Sequence, residues 1–150
     1  TLQKNSPVWY DLTMELNYLA VLIATVAQFI CGAIWYSAFF GKLWGKMHGF
    51  DKLSKEVQQK MMKSMGPIYG VQFLVTLVTS FVLAIFLYYQ PEWNPYAMAG
   101  FFWIGFVVPT QVSSVIFGGT ESKWIVKKIA VQAGCSLLCL EVAATILHFL

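Results

Sequence analysis

The stretch Gly32-Ala33-Ile34-Trp35-Tyr36-Ser37-Ala38-Phe39-Phe40-Gly41-Lys42-Leu43-Trp44 decides the fold. An uncharged, largely apolar run reaches it from Glu15, two amphipathic aromatics follow at Trp35 and Tyr36, and then come Gly41 and Lys42. Apolar core, aromatic girdle and positive charge is the order in which a helix leaves a lipid bilayer. The composition agrees. Of 150 residues, 58% are hydrophobic and 11% are charged, where a soluble domain carries about 25% charged residues. So few charges cannot cover a water-facing surface, so the lipid bilayer is the first expected partner.

Working outward from that exit, a spanning helix takes roughly 20 apolar residues. Four runs are long enough: Leu16 to Phe40, Gly66 to Gln90, Tyr96 to Phe117 and Trp124 to Leu150. Strands would span in about half that length. The expected fold is therefore all-α, a polytopic membrane protein with four transmembrane helices and one cytoplasmic amphipathic helix. Residues 16–150 read as a single four-helix transmembrane domain and residues 1–15 as an outer N-terminal tail. Met14 is a natural start, so Thr1 to Thr13 reads as a short extramembrane tail or a non-native extension. The first run follows acidic residues, not a basic region, and at about 25 residues it is too long for a cleaved leader.

The lysines orient the chain. All ten basic residues are lysine. The connection between the first two runs carries Lys42, Lys46, Lys52, Lys55, Lys60 and Lys63; that between the last two, with the start of the fourth run, carries Lys123, Lys127 and Lys128. The turn between the second and third runs has no lysine. The positive-inside rule then places both lysine-rich connections in the cytoplasm and both termini outside, as in a prokaryotic inner membrane. Within the first connection, residues 51–65 place Leu53, Val57, Met61 and Met65 at helical spacing among charged and amide side chains. That pattern predicts an amphipathic helix on the inner leaflet or beneath the bundle. Gly66-Pro67 separates it from the second span, and Gly66 with Gly70 makes a small-xxx-small pair that permits close helix approach. Gln90-Pro91-Glu92-Trp93-Asn94-Pro95 reads as a tight outer turn. No internal repeat is evident.

Each span contains one glutamine: Gln28, Gln72, Gln111 and Gln132. Each falls on a stripe of small or polar residues, with Gln28 near the midplane and Gln72, Gln111 and Gln132 in the cytoplasmic half, at the depth of Trp35 and Tyr69. An amide facing hydrocarbon is costly, so the four are expected to turn inward toward one another. They would serve either as interhelical hydrogen-bond glue or as the lining of a polar path. Glu141 is the sharpest single signal, because it interrupts the fourth run with no lysine at its depth. An ionised and unpaired carboxylate is expensive there. Three roles compete: a neutral hydrogen bond to Thr25, Ser80 or a backbone carbonyl, a contact across an oligomer seam, or proton or cation coupling in transport. Its helix face carries Ala130, Gly134, Thr145 and His148, which is the expected oligomer face of a homodimer.

Other chemistry is unsupported. His48 and His148 are expected on opposite sides of the membrane, so no two-histidine metal site or bis-histidine haem forms within one chain. No metal, catalytic or cofactor set is expected, and the chain does not read as an enzyme. Cys31, Cys135 and Cys139 lie in apolar runs and read as small hydrophobes. Without arginine there is no bidentate phosphate recognition, and nucleic acid is not an expected partner. What remains is an assembly or interaction subunit, or alternatively a small transporter or channel with a polar path through the glutamines and proton coupling at Glu141. Neither reading names a small-molecule or ion substrate.

Met14, Asn17, Tyr18, Leu19 and Ala20, running into Gly32, Trp35, Tyr36 and Ser37 and then Phe40-Gly41-Lys42 and Trp44, resemble the first-helix motif of domain-of-unknown-function family seventeen-sixty-one. Members often have proline after the serine, where this chain has Ala38. The resemblance implies a small integral membrane protein of four spans with no known activity, and it carries over no catalytic residue.

Overall fold

The structure is a computed structural model that describes residues 15–150. The expectations for Met14 and for residues 1–13 lie outside the described residues. The described residues form seven α-helices: α1 (Tyr18–Ile34), α2 (Gly41–Met47), α3 (Lys55–Ser64), α4 (Gly66–Tyr89), α5 (Pro95–Phe102), α6 (Val108–Phe117) and α7 (Ile125–Phe149). No strand occurs among the described residues. Among the described residues four stretches are long and apolar enough to cross a membrane: Tyr18–Phe39, Gly66–Tyr89, Pro95–Phe117 and Ser122–Phe149. Helix is the form that satisfies every backbone group inside lipid.

Short-range chemistry sets the helix starts. The Asn17 Oδ1 accepts the Ala20 N–H at 3.0 Å. The Asn94 Oδ1 accepts from Tyr96 and Ala97 at 3.0 and 3.1 Å, with Pro95 in the first turn. Each replaces an intrahelical partner that the first turn lacks. Between the first two spans the chain is more broken than its amphipathic period suggests. Gly49 is left-handed at φ 67°, a conformation natural to glycine, and it ends α2. A short 3₁₀ turn follows, and Ser54 caps α3 through the Val57 N–H at 3.4 Å. The apolar side chains of this segment, Leu53, Val57, Met61 and Met62, are exposed.

The first and third spans are not regular helices. Each widens into a π-helical turn, over Trp35–Phe39 and Trp103–Val107. In the first, the Phe40 N–H donates to the Trp35 carbonyl five residues back, at 2.9 Å. Ala38 sits inside this distortion. The second lies just before Pro109, in the first turn of α6. A proline ring collides with the carbonyl four residues earlier in a regular helix, and a wide turn there relieves the collision.

α7 is the hub, touching α1, α4, α5 and α6. Small side chains fill the interfaces: Ala24 and Thr25 on α1, Ser80 on α4, Ala99 on α5, and Ala143 and Ala144 on α7. Helices associate in lipid by close backbone approach, so small residues belong inside. Large ones such as Leu19, Leu74, Phe106 and Val126 point outward. Gly66 and Gly70, the small-xxx-small pair, have nothing within 4 Å of where a Cβ would sit, so they mark no close helix contact in this chain.

Candidate functional site

The four glutamines do not meet. Gln28 is buried, and its Nε2 donates to the Ser80 Oγ at 2.6 Å, joining α1 to α4. Gln111 accepts from the Ser136 Oγ at 3.5 Å, a weak link between α6 and α7. Gln72 is exposed, and its amide reaches only Thr76 on its own helix, at 3.4 Å. Tyr69, on the same helix, is exposed too. The expectation of one inward-facing glutamine layer is therefore wrong. Helical spacing gives a residue's face on its own helix, but not the rotation of that helix in the bundle, and α4 turns Gln72 away. Gln132 is different again: its Oε1 is enclosed and has no hydrogen-bond partner among the described residues.

Trp35 faces inward. Its indole N–H donates to the Val131 carbonyl at 3.1 Å. A Cβ added at Gly134 would lie 3.1 Å from the Trp35 Cζ2. Gly134 is thus the seat of a ring from the same chain, and it leaves the expected oligomer face. Trp103, which the sequence reading missed, makes the matching contact: its indole N–H donates to the Ala133 carbonyl at 2.8 Å. Both tryptophans open a π-helical turn, and both stand three residues after a glycine, in Gly32-Ala33-Ile34-Trp35 and Gly100-Phe101-Phe102-Trp103. That spacing is the repeat signal that could have located Trp103. Together the two rings clamp one turn of α7 from the first and third spans.

Glu141 is half-buried on α7 and has no side-chain hydrogen bond or ion pair among the described residues. The partners expected for it are engaged elsewhere. The Thr25 hydroxyl donates to the Val21 carbonyl at 2.8 Å, and Ser80 accepts from Gln28 while donating to the Thr76 carbonyl at 3.1 Å. Along the same face Ala130 and His148 are exposed, and the Thr145 hydroxyl donates to the Glu141 carbonyl at 2.8 Å. The cysteines are free thiols, and the Cys139 Sγ lies 3.6 Å from the Gln28 carbonyl. No group of three histidine, cysteine or acidic side chains among the described residues is arranged to hold a metal.

The lysine-rich end is tied together by aromatic contacts. Lys128 sits 5.9 Å from the Trp44 ring, and Lys127 lies 5.5 Å from the ring of Trp124. Glu121 pairs with Lys123 at 2.6 Å, and that ammonium holds its carboxyl below the usual carboxylate range.

Four apolar spans around an interior of small side chains define an all-α, multi-pass integral membrane protein. Over residues 19–148 the sequence matches the family described as protein of unknown function (DUF1761), and the chain belongs to that family. No curated protein and no solved structure matches it.

Proposed function

We propose that this protein is a non-catalytic membrane subunit that self-associates through the Glu141 flank of α7. One observation carries the reading: a carboxyl inside a span that is half-buried and without a partner among the described residues of its own chain. A lone carboxyl in hydrocarbon is costly. A symmetry mate supplies the missing partner, since two such groups can share a proton across a two-fold axis. Ala130 and Thr145 leave room on that flank for close approach. The lysine-rich connections face the cytoplasm in this reading, in a prokaryotic inner membrane, and α3 lies on the anionic inner leaflet with Val57 and Met61 toward lipid.

The test is the oligomeric state in nanodiscs, counted by single-molecule photobleaching. The wild type should count as dimer, Glu141→Leu as monomer, and Glu141→Gln should keep the dimer because an amide still bonds across the seam. Equal dimer fractions in all three would end the proposal. Thiol labelling checks the orientation: cysteines introduced at Ser64 and Asn94 should react from opposite sides.

A transporter is the second reading, favoured by the enclosed and unpartnered Gln132 Oε1. Such an atom marks a place for water or a ligand group. It has less support, because Gln28, Gln72 and Gln111 bond to separate partners, and no glutamine lines the cavity at Glu15 and His148 or the one at Tyr18 and Leu77. Glu141→Gln and Gln132→Leu should each abolish pH-dependent flux in vesicles if this reading holds; flux equal to wild type would rule it out.

A further inference from the structure

At the end of the bundle away from the lysine-rich connections, a cavity of about 380 Å³ opens between the start of α1, the ends of α4 and α7, and the turn before α5. Its volume falls at the lower end of the range of ligand pockets, about 300–1,000 Å³. Its apolar side includes Leu16, Ala20 and Ala84, all buried. Its polar lining is Glu15, Asn17, Tyr88, Trp93 and His148.

These groups have distinct parts. Asn17 is committed to structure: its Nδ2 donates to the Leu150 carbonyl at 2.9 Å while its Oδ1 caps α1, so it laces α1 to the end of α7 and makes a wall. Trp93 packs edge-on against Phe101 with ring centroids 6.1 Å apart, Tyr88 packs against Tyr89 at 5.4 Å, and both rings line the cavity. Glu15 supplies a carboxylate with no ion-pair partner among the described residues. Every described lysine belongs to the opposite end, and the turn beside the cavity adds only Glu92. The site is therefore acidic and aromatic above an apolar floor.

We infer that this cavity binds an ammonium head carried on an alkyl chain. A carboxylate and aromatic faces are the two groups that attract an ammonium, the rings by their negative faces. The apolar floor takes the chain. An anionic head would be repelled by the Glu15 carboxylate, and a wholly apolar ligand would use the floor alone. The same head could come from an ethanolamine phospholipid of the surrounding membrane or from a free amphiphilic amine. The site is at the opposite end from the lysines and does not depend on self-association.

The experiment uses the full chain in nanodiscs of phosphatidylglycerol. Hexyltrimethylammonium is titrated calorimetrically, with 1-heptanol as a neutral control. Saturable binding of the cation in excess of that to protein-free nanodiscs, weakened at least tenfold in Glu15→Gln and in Trp93→Leu, with no such excess binding of the alcohol, supports the inference. In parallel, protein extracted from ethanolamine-lipid membranes is examined by native mass spectrometry. One retained ethanolamine lipid that is lost in Glu15→Gln supports the inference and identifies the membrane as the source. If neither probe binds, or if binding is the same in Glu15→Gln as in wild type, the inference is overturned. Both variants lie at the rim, so thermal unfolding should match wild type and separate loss of binding from loss of fold.

Discussion

Replacing the indole N–H of Trp35 and of Trp103, without changing ring shape, isolates what the tryptophan clamp contributes. Benzothienylalanine does this: sulfur replaces the N–H, so the ring keeps its seat on Gly134 while the donor to Val131 is deleted. Inside membranes an interhelical hydrogen bond contributes about 0.6 kcal/mol on average and about 1.7 at most. The Trp103 bond is the shorter, at 2.8 Å against 3.1 Å, and should contribute more. The two acceptors, Val131 and Ala133, are two residues apart on α7. Neighbouring sites of this kind do not add independently; with one bond gone α7 is already looser, so the second loss should cost less than the first. The readout is the labelling rate of the Cys139 thiol, which is covered by α1 at the Gln28 carbonyl. The Trp35 substitution should raise opening of the α1–α7 contact about threefold for an average bond and up to about twentyfold for a strong one, while the Trp103 substitution, which frees α7 from the third span, should reach Cys139 only through the added looseness of α7 and raise its labelling less. Site-resolved mass analysis separates Cys139 from Cys31 and Cys135. Unchanged labelling in both variants and in the double variant would refute the clamp.

Further outcomes follow from the same geometry. Ser80→Ala should cost about 1–3 kcal/mol, because it strands the buried Gln28 amide, whereas adding Gln28→Leu should recover part of that loss; thermal unfolding in detergent measures both. Gly134→Leu should destabilise the monomer fold by about 1–3 kcal/mol through collision with Trp35, while Gly70→Leu, in open space, should not; equal midpoints would contradict the packing. Asn94→Ala removes two capping bonds at the start of α5 and should cost about 0.5–2 kcal/mol, read as faster amide exchange at Tyr96 and Ala97. Gly49→Ala places a Cβ on a left-handed backbone and should lower stability by about 1 kcal/mol, with proteolysis between α2 and α3 as the assay.

The exit motif around Trp35, the run lengths and the scarcity of charge determined four spans and the lipid surroundings, because burying a charge or an open backbone in hydrocarbon is so unfavourable that composition alone decides it. The turn at Asn94 and Pro95 was legible from local chemistry too, whereas the Asn17 cap inside the expected first run emerged only in the structure. The facing of each helix was not. In a span apolar on every side, periodicity leaves rotation open, and rotation is decided by which small residues let two backbones close together. That choice put Gln28 against Ser80, turned Gln72 outward, drew Gly134 under Trp35 and left Glu141 on the flank. The tertiary structure alone also decided that Trp35 and Trp103 bind the same turn of α7, since a hydrogen bond between residues 96 apart in sequence depends on helix packing that no local pattern encodes.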